Sequence, residues 1–132
     1  MKLQNQTFQF HEALNGDFLN DLFTGDIAYA AEVFNDVVFE LPQYWSDMET
    51  AFAANNVADL QAAAHKCKTL YAYVGFSVIK ERLQTVETLC GSATDTGILV
   101  EEMKELRLQR PEAERIILEE IKRLKHFHEK QA

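Results

Sequence analysis

The chain has 132 residues, the length of one domain, and 47% hydrophobic content supplies a sizeable core. Thirteen basic residues against 21 acidic ones give a net charge of −8. That argues against nucleic acid and anionic membranes as main partners, because both need clustered Lys and Arg.

The first ten residues, MKLQNQTFQF, hold no unbroken apolar run, so no signal peptide is expected. Residues 1–6 are polar and read as loose. Phe8, Phe10 and Leu14 suit either a short helix or an extended arm packed on the rest. Asn15-Gly16 is a turn signal. Asp17 is the expected cap of a short turn carrying Phe18, Leu19, Leu22 and Phe23. Thr24-Gly25-Asp26 stops that turn, and Asp26 is placed to accept orphan backbone N–H groups of the next helix.

From Ile27 the apolar positions run Ala30, Ala31, Phe34, Val37, Val38, Leu41, Tyr44, Trp45, Met48 and Phe52, spaced by threes and fours. The stripe keeps phase across Pro42, which predicts one bent helix. Asn55-Asn56 ends it. A second long helix is predicted from Val57 to Tyr73 and a third from Phe76 to Cys90, with Phe76, Ile79, Leu83, Val86 and Leu89 as its stripe. Gly91 to Thr94 is a small-residue break. The last segment carries Ile98, Leu99, Met103 and Leu106, then Ala113, Ile116, Ile117, Ile121, Leu124 and Phe127. Pro111 with Glu112 and Glu114 has the form of a helix start, so this segment reads as one kinked helix or two in tandem. Prolines (2) and glycines (5) are few, and no β-period alternation of any length occurs. The fold class expected is all-α: an up-and-down antiparallel four-helix bundle with a short extra N-terminal helix or arm. No apolar stretch approaches the roughly 20 residues of a membrane span. The two cysteines, Cys67 and Cys90, read as helical and partly buried, with the spacing of neither a metal site nor a disulfide framework. A reducing cytoplasm is the expected setting.

The helix from Val57 to Tyr73 holds the candidate chemistry. Leu60, Ala63, Ala64, Cys67, Leu70, Tyr71 and Val74 form its core-facing stripe. His65 lies off that stripe, with Gln61, Lys68 and Thr69 three or four residues away and Ala72 seven away, hence near it on the wet face. A built-in metal site finds little support. No Glu-x-x-His occurs, His126 and His128 fall on different helix faces, and His11 stands alone, so these three read as solvated surface residues. No Gly-x-Ser-x-Gly elbow or glycine-rich phosphate loop occurs either. Cys67 is too close to His65 in sequence to face it on one helix and reads as a small core residue.

His65-Lys66-Cys67-Lys68-Thr69, with Gly75 beyond and Val86-Glu87 ending the apolar positions of the next helix, resembles the histidine-containing phosphotransfer (HPt) domains of multistep phosphorelays. Their signature reads His-x-Leu-Lys-Gly, then small residues, then a glycine opening a partner helix that ends in Leu-Glu. Ala64, Ile79 and Leu83 also fit, as does Leu22-Phe23-Thr24-Gly25-Asp26 followed by Phe34. The resemblance covers about residues 17–90 within a single domain of 1–132, and the last helix fits in kind. Cys67 stands for the usual Leu and Thr69 for the usual Gly, while Leu70 and Tyr71 replace small residues. Tyr71 is expected to pack inward with its hydroxyl at the edge.

The resemblance implies a phosphoryl carrier without a kinase domain, not an enzyme. His65 would accept phosphate from a receiver-domain aspartyl phosphate and pass it to another receiver. Partners would be the receiver domains of a hybrid sensor kinase and a response regulator. No cofactor is intrinsic, and Mg²⁺ is expected in the partner receiver. An imidazole in water is a suitable nucleophile near neutral pH. Nε2 is the nitrogen expected to face outward; the sequence does not name what holds the other. Lys68 would offset phosphoryl charge, Gln61 would donate a hydrogen bond, and Thr69 and Ala72 would let partner loops come close. Glu87 would orient the site or face solvent. A second reading, favoured by Thr69, Leu70 and Tyr71, is a non-catalytic helical adaptor that binds receivers without phosphotransfer.

Overall fold

The computed structural model describes residues 7–131, so the expectations for the first six residues fall outside it. Five α-helices follow one another: α1 Gly16–Phe23, α2 Ile27–Ala53, α3 Val57–Tyr73, α4 Ser77–Cys90 and α5 Val100–Gln131, with a 3₁₀ turn over Thr96–Leu99 before the last. No strand occurs among the described residues. The chain is an all-α bundle in which α3 packs between α2 and α4, and α5 packs on α2 and α4.

Side-chain caps fix the starts of the first three helices. Asn15, not Asp17, caps α1, its side chain accepting from the Phe18 N–H at 3.0 Å. Asn15 has the non-helical backbone a cap requires, which leaves Asp17 in the first turn, where a carboxylate favours the positive helix end. Asp26 caps α2 as expected, accepting from Tyr29 N–H at 3.0 Å, and Asn56 caps α3 through Asp59 N–H.

Both prolines lie inside helices. Pro42 is exposed on α2, which runs unbroken past it, as the phase of its stripe predicts. Pro111 does not start a helix but sits within α5, settling the last segment as one helix. Pro111 faces solvent, so its missing N–H falls on the wet side, while Met103, Leu106, Ala113, Ile116 and Ile117 keep one buried stripe. Ile98 departs from expectation: it is exposed. It lies in the 3₁₀ turn, whose three-residue period directs its neighbour Leu99 inward instead.

Residues 7–11 form an irregular arm ending in a turn, not a helix. Phe8 is buried edge-on against Phe127, and Phe10 stacks on Phe34. Glu120 of α5, fully buried, accepts the His11 N–H at 2.9 Å and pairs with Arg123, which donates to the Gln9 carbonyl and covers the Phe8 ring. His11 is therefore half-buried rather than solvated, with its Nδ1 accepting the Ala13 N–H.

Candidate functional site

Core burial on one face of α3 forces the opposite face outward. Leu60, Ala63, Ala64, Cys67, Leu70, Tyr71 and Val74 are all buried, as their spacing predicts. His65 projects from the other side with 61% of its side chain exposed. α4 lies alongside, and its Glu87 carboxylate meets the ring at Nδ1, 3.1 and 3.2 Å from its two oxygens. An ionised carboxylate only accepts hydrogen bonds, so in the neutral ring the proton sits on Nδ1. That leaves the lone pair on Nε2.

Lys68, one turn along α3, reaches the same carboxylate: Nζ is 2.7 Å from Glu87 Oε1 and donates to Gln84 Oε1 at 2.8 Å. Glu87 and Lys68 are mostly buried, at 15% and 17% side-chain exposure, which limits solvent screening of their pair. Glu87 thus faces His65 and Lys68 rather than open solvent. Lys68 is engaged across the helix pair. Gln61 donates a side-chain hydrogen bond, from its Nε2 to the Glu87 backbone carbonyl at 3.0 Å, and so fastens α3 to α4.

Thr69 and Ala72 continue the His65 face, both half-buried, and the Thr69 hydroxyl donates to the His65 carbonyl at 3.1 Å. Gly75 closes α3. Its φ of +69° suits glycine, and an added Cβ would lie 3.0 Å from Leu19 side-chain atoms and 3.2 Å from Asn15 N. The Asn15 N–H donates to the Gly75 carbonyl, so this turn ties α1 to the α3–α4 corner.

Tyr71 corrects an expectation. Its hydroxyl is not at the edge: the residue is fully buried and accepts the Trp45 indole N–H at 3.0 Å. An indole donor brought into a core needs an acceptor there, and the phenol supplies it. Leu70 is buried as well, so of the three residues that favoured an adaptor only Thr69 borders His65. Cys67 lies behind the histidine, and burial pushes its thiol up to about 12 despite the Arg110 charge. It is a protonated core group and no nucleophile.

Sequence reasoning missed Gln84 and Glu120. Gln84 is three residues before Glu87 and so shares its helix face, a signal available once Glu87 is placed. Glu120 sits in phase with Ile116, Ile117 and Leu124, which marks an acid on a core-facing stripe.

What the arrangement can do chemically is narrow. It offers one exposed, oriented imidazole nitrogen backed by a carboxylate that can stabilise positive charge on the ring. A family model described as Hpt domain matches residues 32–126, well over half of the chain. No curated protein and no solved structure matches it.

Proposed function

The chain belongs to the Hpt domain family, whose members carry phosphoryl groups on histidine in phosphorelays, and from that premise we propose that His65 is the phospho-accepting residue. The observation that carries this reading is the pairing of an exposed ring with a carboxylate at Nδ1. It selects the tautomer whose Nε2 lone pair faces solvent.

In the forward step Nε2 attacks the phosphorus of a receiver's aspartyl phosphate, in line with the departing oxygen. The N–P bond forms, the acyl P–O bond breaks, and the receiver's aspartate leaves as a carboxylate. The ring then carries positive charge with its proton still on Nδ1, directly against Glu87, so the carboxylate stabilises the phosphorylated state. The reverse sequence hands the group to a second receiver. The receivers bring the aspartate and, in this reading, the Mg²⁺. Lys68 can turn toward phosphoryl oxygens by exchanging its present acceptors for them. Partner contact is expected to be small and transient, near the low end of interface sizes.

The reading is tested with a phosphorylated receiver as donor. The wild-type chain is expected to take up an acid-labile label, and His65→Ala to take up none. Labelling of His65→Ala at the wild-type rate would remove His65 from the role. Binding of the receiver with no label on either chain would favour the adaptor instead.

A further inference from the structure

Gln84 has no part in the functional reading so far, yet it touches Lys68, the cation that shares the Glu87 carboxylate with His65. Its Oε1 accepts from Lys68 Nζ at 2.8 Å, while Glu87 Oε1 accepts from the same nitrogen at 2.7 Å. Its own Nε2 donates to the Thr88 hydroxyl at 3.3 Å, which fixes which end of the amide faces Lys68. The ammonium is thereby held from two sides on the α4 face, with the Glu87 carboxylate between it and the Nδ1 edge of the ring. A phosphoryl group would sit on Nε2, the other nitrogen. To reach its oxygens, Lys68 must exchange both the carboxylate and the amide for new acceptors.

We propose that Gln84 is a positioning residue that holds the Lys68 ammonium on Glu87 and so sets how long a phosphoryl group persists on His65. This rests on the carrier reading above. Each acceptor Lys68 must give up makes its move toward the phosphoryl oxygens less favourable, and the phosphorylated ring loses that much stabilisation. An amide at position 84 is an intermediate setting. A thioether of the same length is only a weak acceptor and loosens the hold on the lysine. A carboxylate holds the lysine more strongly and adds a like charge facing the phosphoryl group.

Phosphoramidate is the probe, because it phosphorylates imidazole directly and needs no partner. Nε2 attacks its phosphorus, the N–P bond to the ring forms, the reagent's own P–N bond breaks, and ammonia departs with the bonding pair. After the reagent is removed, water attacks the phosphorus, the ring N–P bond breaks, and phosphate is released. The half-life of the label is followed by intact mass at about pH 8. We expect Gln84→Met to lengthen it about threefold and Gln84→Glu to shorten it by a similar factor, the scale of one exposed hydrogen bond to a charged group. In a Lys68→Met background, Gln84→Met should have no effect, whereas a purely structural role for Gln84 would persist there. Equal half-lives for Gln84→Met and the wild type, or the same change in both backgrounds, would overturn the inference. His65→Gln separates the two levels, since His126 and His128 are also exposed. If it labels like the wild type, or the wild type takes no label, the carrier reading fails and this inference with it.

Discussion

Glu87 faces the Nδ1 edge of His65, so it favours the Nδ1–H tautomer of the neutral ring. In the carrier reading proposed above, it would also face the positive ring after transfer. Glu87→Gln tests this without a large change of shape. An amide can accept through its oxygen or donate through its nitrogen, so it no longer dictates one tautomer, and it carries no charge. We expect a mixture of His65 tautomers in long-range ¹H–¹⁵N spectra. The rate of phosphoryl uptake from a receiver should fall about tenfold, the scale of one charge-assisted hydrogen bond. A single Nδ1–H tautomer and an unchanged rate in Glu87→Gln would show that the carboxylate does not act on the ring. Lys68 keeps Gln84 in that variant, so the two residues can be read apart.

Among the elements, the corner between α3 and α4 is tightly packed. Gly75 takes a positive φ, lies against Leu19 and receives the Asn15 N–H. Gly75→Ala should therefore cost about 2 kcal/mol, part from the left-handed backbone and part from the overlap with Leu19. Urea unfolding measures it, and a loss below about 0.5 kcal/mol would mean that the corner relaxes freely. Much of this level was legible in the sequence. The stripes of α2, α3 and α4 have a clear period, and the Asp26 and Asn56 regions carry polar cap chemistry, so those helices fall where their spacing puts them. Helix α5 was ambiguous because Pro111 followed by acids fits both a helix start and an exposed interior position. Only packing decides that, and Ala113 and Ile116 continuing the buried stripe of Leu106 decides it. The arm was undecided for a similar reason: Phe8 and Phe10 have no period, and their places depend on Phe127 and Phe34, far along the chain. Within the site, helical spacing placed Lys68, Thr69 and Ala72 around His65. The contacts from α4 to α3 depend on how the two helices are rotated, and spacing within one helix does not contain that.

At the scale of the whole molecule, the described interior is mostly apolar; besides Thr96 and the paired Glu120 it holds three weak acids, two thiols and a phenol. Cys67 and Tyr71 are fully buried and Cys90 nearly so, and burial pushes all three upward. For Tyr71 the thiol of Cys67 adds to burial, while the Trp45 hydrogen bond opposes it. A raised value means that the folded chain keeps a proton the unfolded chain has already released. Below the ordinary thiol value of 9.0 both states hold the proton and these groups leave stability unchanged. Above it the unfolded chain ionises first, so stability falls as pH rises, and for Cys67 this continues to about 12. Tyr71 joins from 10.0 upward. The slope is at most about 1.4 kcal/mol per pH unit for each group. Urea midpoints taken in steps from about pH 7 to about pH 10 should be level at first and then drop. Cys67→Ala is expected to be less stable throughout, because it leaves a small cavity, but to lose less between about pH 9 and pH 10. Parallel curves for the two chains would place the alkaline loss elsewhere and show that the thiol behind His65 is hydrated in solution.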